Sequence, residues 1–261
     1  MDEKLDYNQE MFRKLGFGNY FDEAYLQGKA DRVAQISFVP GTLPFNGAKL
    51  EVLPTVIYRP EYGEEFYLIK GYQATLKTET KPDVSQFLQV YKSIGFDVDQ
   101  AYALLNGRAV KHLQGYKDDI PQFSYSQINF ERVTENGNYS LRRRAADDDA
   151  LFQVLGKMGI IAQQEEKERI FQRLQQGARI SVNIRNGEDS KKMFIQAATR
   201  TRGMGIDLMD LTGQLVKQFP DRLARPLQPL RTLEGGQELN PLAAQIAAGA
   251  GNPEGSRLRP S

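Results

Sequence analysis

One glycine-punctuated phrase occurs three times along the chain, and any fold must accommodate all three copies. It reads as an apolar–glycine–apolar step, a short amphipathic stretch closed by leucine and a second glycine, and then an extended run. The first copy passes from Leu15-Gly16-Phe17 through Leu26-Gln27-Gly28 to Arg32-Val33-Ala34-Gln35-Ile36-Ser37-Phe38. The second is Ile94-Gly95-Phe96, then Leu105-Asn106-Gly107, then Arg108-Ala109-Val110. The third is Met158-Gly159-Ile160, then Leu174-Gln175-Gln176-Gly177, then Ala178-Arg179-Ile180-Ser181-Val182. The paired glycines lie 12 residues apart in the first two copies and 18 apart in the third. A glycine just past a helix adopts the left-handed conformation without a Cβ clash. Gly16, Gly28, Gly95, Gly107, Gly159 and Gly177 are therefore expected to be structural turn glycines that help turn helices into strands.

This repetition predicts an α+β fold of three tandem units, each a helix or helix pair followed by a three-stranded antiparallel meander. The units span 1–82, 83–146 and 147–222, and a disordered tail rich in Pro, Gly and Ala follows over 223–261. Periodicity and capping residues predict helices at about 6–16, 22–27, 84–94, 98–105, 147–157 and 162–176, with a short last one near 213–219. Strands are expected at 32–39, 48–58 and 64–76, at 108–113, 123–133 and 138–144, and at 178–185, 191–198 and 204–210. Asn136-Gly137 and Asn186-Gly187 are the hairpin signals, since Asn-Gly supplies the positive φ angles of a type I′ turn.

Several of these phrases resemble an uncharacterised group of Bacteroidota proteins with Leu-x-x-Gly helix-plus-meander repeats. They are Phe12-Arg13-Lys14-Leu15-Gly16-Phe17, Ala103 to Val110, Leu174 to Gly177, and Lys192-Met193-Phe194-Ile195-Gln196-Ala197. In that group the units recur, often with polar, Gln-rich tails, and related repeats occur in proteins of conjugative and other mobile elements. The resemblance covers about residues 11–210. It implies DNA-associated or mobile-element biology and carries over no catalytic residue.

Chemistry-bearing patterns are sparse. The chain has no Cys, which excludes disulfides, thiolate catalysis and cysteine-ligated metal. Its single histidine, His112, has no sequence partner for a triad or metal site and reads as an ordinary strand histidine. The carboxylates of Asp147-Asp148-Asp149 suit the positive end of a helix dipole. No P-loop, dinucleotide-binding or nucleophile-elbow motif is present. No enzyme activity, cofactor or metal is expected. The acidic start, Met1-Asp2-Glu3-Lys4-Leu5-Asp6, has no apolar signal-peptide core, and no run reaches the roughly 18 to 20 apolar residues of a spanning helix. A cytoplasmic protein without membrane contact is expected.

Charge distinguishes the units where the overall net charge of +1 does not. Residues 151–222 carry 12 basic and 8 acidic side chains, whereas the two preceding stretches are both net acidic. Arg179, Arg185, Lys191, Lys192, Arg200 and Arg202 lie on or beside the third meander, and Arg142 and Arg144 lead into it. Two functions fit. The first is a non-enzymatic interaction or scaffold protein that meets another protein through sheet surfaces and a flexible tail. The second is a nucleic-acid-binding accessory protein of a mobile element, with those eight residues contacting DNA phosphates.

Overall fold

Capping chemistry sets the starts of three helices. The protein, seen in a computed structural model, is described over residues 6–45, 47–62, 66–186, 189–200 and 203–219. Asp6 opens α1 (Tyr7–Lys14): its carboxylate accepts from the Asn8 and Gln9 amides, and the Gln9 side chain accepts from the Asp6 amide. Such a reciprocal box satisfies donors that the first helical turn leaves orphaned. After α2 (Asp22–Ala30), the same device opens α3 (Val98–Leu105) with Asp97 and Gln100. Asp147 caps α4 (Asp148–Gly156) through the Ala150 amide, and α5 (Gln164–Gln175) follows.

The strands make three antiparallel sheets, so the fold class is α+β. In the first, β1 (Gln35–Ile36), β3 (Ala48–Tyr58), β4 (Tyr67–Thr78) and β5 (Val84–Gln89) lie in that order, with β2 (Gly41–Phe45) also paired to β3. The second is the meander β6 (Val110–Lys117), β7 (Ile120–Val133) and β8 (Tyr139–Ala145). The third comprises β9 (Ile180–Asn186), β10 (Asp189–Thr199), β11 (Met204–Met209) and β12 (Leu215–Phe219), in the order β12-β11-β10-β9. The sheets thus have five, three and four strands instead of three each.

Four expectations are corrected. Residues 84–94 are not a helix: β5 fills the first part, with Gln86 and Leu88 facing inward, and the polar Gln86 masks the two-residue period. Tyr91 and Ile94 then close a two-residue turn in which Lys92 and Ser93 have φ of 48° and 62°, the type I′ geometry. Residues 213–219 pair with β11 as β12 instead of coiling. Asn136-Gly137 is not a type I′ turn. Only Gly137 has positive φ, in a three-residue loop that Thr134 and Asn138 close. Finally, Gly28 lies inside α2, and neither it nor Gly95 has positive φ; a β-carbon would meet Ile36 at 2.9 Å or Val90 at 2.9 Å. These two glycines permit close packing, while Gly16, Gly107, Gly159 and Gly177 do take the left-handed conformation. Gly187 and the tail at 223–261 lie outside the described residues.

The three units do not stand side by side as separate bodies; the second is a layer shared by the other two. Alternation along β7 sends Ile128 to one side and Tyr125 to the other. Ile128 and Val110 join the first core, with Phe12, Phe17, Tyr72 and Leu104. Tyr125 and Ala109 join the second, with Leu151, Leu174, Ile195 and Ile206. The glycine turns interlock on α3. Gly16 sits where a β-carbon would be 2.6 Å from Val98, and the Val98 amide donates to the Leu15 carbonyl at 3.0 Å. Gly177 lies on the same element, where a β-carbon would be 2.7 Å from Ala103 and 2.5 Å from Val110. The first and third repeats therefore both dock on the helix of the second.

Buried side-chain amides finish the joints. The Asn8 amide donates to the Tyr67 carbonyl at 2.8 Å and accepts from the Ile69 amide at 3.1 Å, beyond the point where β5 stops pairing with β4. Gln86 accepts from the Tyr139 amide at 2.9 Å and donates to its carbonyl at 3.3 Å, tying β5 to β8. Gln127 donates to the Gly107 carbonyl at 2.7 Å and accepts from the Thr199 amide at 2.7 Å, tying β7 to β10. Each amide acts as one extra peptide unit, satisfying backbone groups at an edge where an orphan would cost about 1–3 kcal/mol.

Candidate functional site

The eight basic residues singled out by charge do not form one free face. Arg142 on β8 is exposed, but it donates to Asn129 at 2.8 Å and pairs with Glu131 at 3.4 Å. Arg144 is half-buried and donates to the Arg200 carbonyl at 2.8 Å, which ties the second sheet to the third. Arg200 is ion-paired with the buried Asp207. Arg185, Lys191 and Lys192 are exposed near the β9–β10 turn, and strand alternation turns the two lysines to opposite faces. Arg202 lies outside the described residues. Arg179 is exposed, and among the described residues its guanidinium donates to the neutral Gln196 Oε1, at 3.2 and 3.3 Å.

Arg179 has a neighbour that the charge count passed over. Arg108 follows Gly107 immediately, and the Ala109 amide donates to the Ala197 carbonyl at 3.3 Å. This bond sets Arg108 beside the stretch of β10 that carries Gln196. The Arg108 guanidinium lies over the Tyr102 ring, 5.1 Å from its centroid, and Tyr102 in turn stacks on Phe45 at 4.4 Å. Burial lowers the Arg108 pKa; the charge of Arg179 lowers it further, and Tyr102 offsets part of the shift. Among the described residues Arg108 has no ion pair, and its Nε is buried without a hydrogen-bond partner. A basic residue stands directly after the second glycine in the first two repeats, Lys29 and Arg108, and one position later in the third, Arg179. Lys29 pairs with Asp6 at 3.3 Å.

His112 sits in β6 opposite Ser124. Its ring packs on Phe96 with centroids 4.2 Å apart. Burial lowers its pKa to about 4, and the positive charge of Arg143 adds to the effect. Its Nδ1 and the hydroxyls of Ser124 and Ser126 are buried and have no partner among the described residues. The imidazole is therefore neutral at neutral pH in the folded state. It regains its ordinary pKa of about 6.5 on unfolding. Between those two values the unfolded chain binds the extra proton, so stability falls as pH drops from about 6.5 towards about 4. After discounting for partial exposure, the expected loss is about 1–2 kcal/mol. Urea unfolding of the wild type and of His112→Gln across that window should show a smaller acid loss in the variant. Equal losses would remove His112 from the account.

The end of the β6–β7 hairpin is exposed on both faces. Asp118 and Asp119, with φ of 50° and 61°, make a type I′ turn that joins the two strands tightly. Behind this tip Tyr116 is paired with Pro121, and Phe123 with Leu113, all on the face that carries Tyr125 further in. Tyr125 is fully buried in the second core, whereas Tyr116 and Phe123 are 65% and 44% exposed. Ile120, on the opposite face, is 62% exposed. An apolar stripe thus begins inside the core and runs out along an arm whose tip is acidic.

Two cavities among the described residues measure about 90 Å³, between the α5 start and β9, and about 440 Å³, beside Tyr20, Phe21 and Val39. Among the described residues no group of three or more His, Asp or Glu side chains is arranged to hold a metal ion, and no helix is long and apolar enough to cross a membrane. Compared with protein-family models, with curated proteins and with solved structures, the chain has no match.

Proposed function

We propose that this chain is a non-enzymatic, cytoplasmic interaction protein whose β6–β7 arm is its contact element for another protein. The observation that carries this reading is the exposed stripe of Tyr116, Pro121 and Phe123, continuous with buried Tyr125. A two-stranded tip with water on both faces is marginal alone, and its aromatic side chains become buried only against a second surface. Aromatic residues that are already ordered lose little entropy on docking, which is why they dominate interface energetics. Asp118 and Asp119 at the tip favour a partner with an apolar groove bordered by Lys or Arg, and disfavour a phosphate surface. Direct DNA binding by the eight charge-selected residues has less support, because Arg142, Arg144 and Arg200 already hold partners within the chain.

A photo-reactive amino acid placed at Tyr116 or Phe123 in the native cell tests the arm, with Tyr62 on a different exposed segment as the control position. Discrete adducts are expected from the arm and not from Tyr62. The purified adduct partner should then bind the wild type and lose most of its affinity for Tyr116→Ser/Phe123→Ser. Adducts no different from those at Tyr62, or equal affinity of the double variant, would overturn the proposal.

A further inference from the structure

We infer that Asp148 and Lys111 are positioning residues of the β6–β7 arm, a strut from α4 that holds the Phe123 ring in its contact geometry before a partner arrives. The inference deepens the arm reading and rests on it for the partner, whereas the strut is a chain of contacts within the protein. Lys111 Nζ lies 2.5 Å from Asp148 Oδ2 and 5.1 Å from the centre of the Phe123 ring. The Tyr125 hydroxyl donates to the other oxygen, Asp148 Oδ1, at 3.3 Å. One carboxylate thus meets both strands of the arm at its root.

Local structure fixes each member. Asp147 caps α4 through the Ala150 amide at 2.9 Å, which puts Asp148 in the first turn, where the helix dipole favours a carboxylate. Asp148 shares a helical face with Leu151 and Leu155, both buried in the second core, so packing of α4 anchors the carboxylate. On the arm the register pairs Lys111 with Tyr125 and Leu113 with Phe123. All four side chains therefore share one face, and Lys111 reaches Phe123 along the diagonal. Phe123 is 44% exposed, and a cation held over its ring restricts the positions that ring can sample. An aromatic side chain ordered in advance gives up less freedom when it docks, and affinity rises accordingly. The middle residue of the Asp147-Asp148-Asp149 run thus has a task beyond complementing a dipole.

Fluorine NMR of the full chain carrying para-fluorophenylalanine at Phe123 tests the strut without any partner. Phe130, also on β7 and 42% exposed, is the control position. Asp148→Asn and Lys111→Met should each move the Phe123 resonance towards its position in the urea-unfolded chain and leave the Phe130 resonance in place. Lys111→Arg keeps a charge that can pair with Asp148 and stack on the ring, so it should preserve most of the wild-type shift. The Lys111 and Asp148 side chains are 21% and 40% exposed, so the variants keep the fold, which their thermal midpoints would verify. A protein captured through the arm should bind Asp148→Asn and Lys111→Met about fivefold more weakly than the wild type, as for loss of one cation–π contact, and Lys111→Arg nearly as well as the wild type. An unmoved Phe123 resonance in both variants would overturn the inference whether or not the arm has a partner, so it can fail independently of the arm reading. A captured protein that binds both variants as tightly as the wild type would overturn it equally.

Discussion

Gly177→Ala is expected to lower the free energy of unfolding by about 2–5 kcal/mol. Two costs add at this position. The backbone has φ of 78°, where an L side chain costs about 1–2 kcal/mol. The new β-carbon would also lie 2.5 Å from Val110 and 2.7 Å from Ala103, both buried and unable to swing aside. Overpacking of that kind costs about 1–3 kcal/mol. Gly137→Ala separates the two contributions, since Gly137 has nearly the same φ, 76°, and open space around it. It should lose only the backbone part. Urea unfolding of both variants provides the check, and equal losses would show that Gly177 is a turn residue with no packing role.

Gln127→Leu is expected to cost about 2–4 kcal/mol, although the side chain gains hydrophobicity. The Gln127 oxygen accepts from both the Thr199 amide and its hydroxyl, at 2.7 and 2.9 Å, and the nitrogen donates to the Gly107 carbonyl. Thr199 is 3% exposed, so water does not readily replace the lost partner. An unsatisfied buried group costs about 1–3 kcal/mol, and several would be orphaned together. Gln122→Leu on the exposed arm is the matched control and should change stability by less than about 0.5 kcal/mol. A Gln127→Leu loss as small as that of Gln122→Leu would mean that the seam is hydrated and the amide clamp dispensable.

The starts of α1, α3 and α4 were legible, because Asp6, Asp97 and Asp147 cap them at short range. The α+β class and most strand positions were also legible from period-two patterning. What it concealed were choices made by tertiary contact. Gln86 faces inward only because Tyr139 offers it two backbone partners, so β5 does not look like a strand in isolation. The type I′ turn at Lys92-Ser93 uses residues that carry no local signal for positive φ. For the candidate sites the limits were similar. Clustering of basic residues in the sequence pointed to Arg142, Arg144 and Arg200, which fold onto partners of their own. Arg108 escaped notice because its place beside β10 is set by the bond between the Ala109 amide and the Ala197 carbonyl, a contact between distant parts of the chain.

The β6–β7–β8 sheet is a layer common to both cores, so residues before and after it are expected to unfold together. Native-state hydrogen exchange on the full chain, wild type against Gln127→Leu, tests this most directly. The substitution acts at the joint between β7 and β10 and at the Gly107 turn beside it, and touches no residue of β4. If the layer is shared, the slowest amides of β4, such as Tyr72, and those of β10, such as Ala197, should lose protection by the same free energy. If the β10 amides lose protection while those of β4 keep wild-type values, the units are independent neighbours and the shared-layer account is wrong.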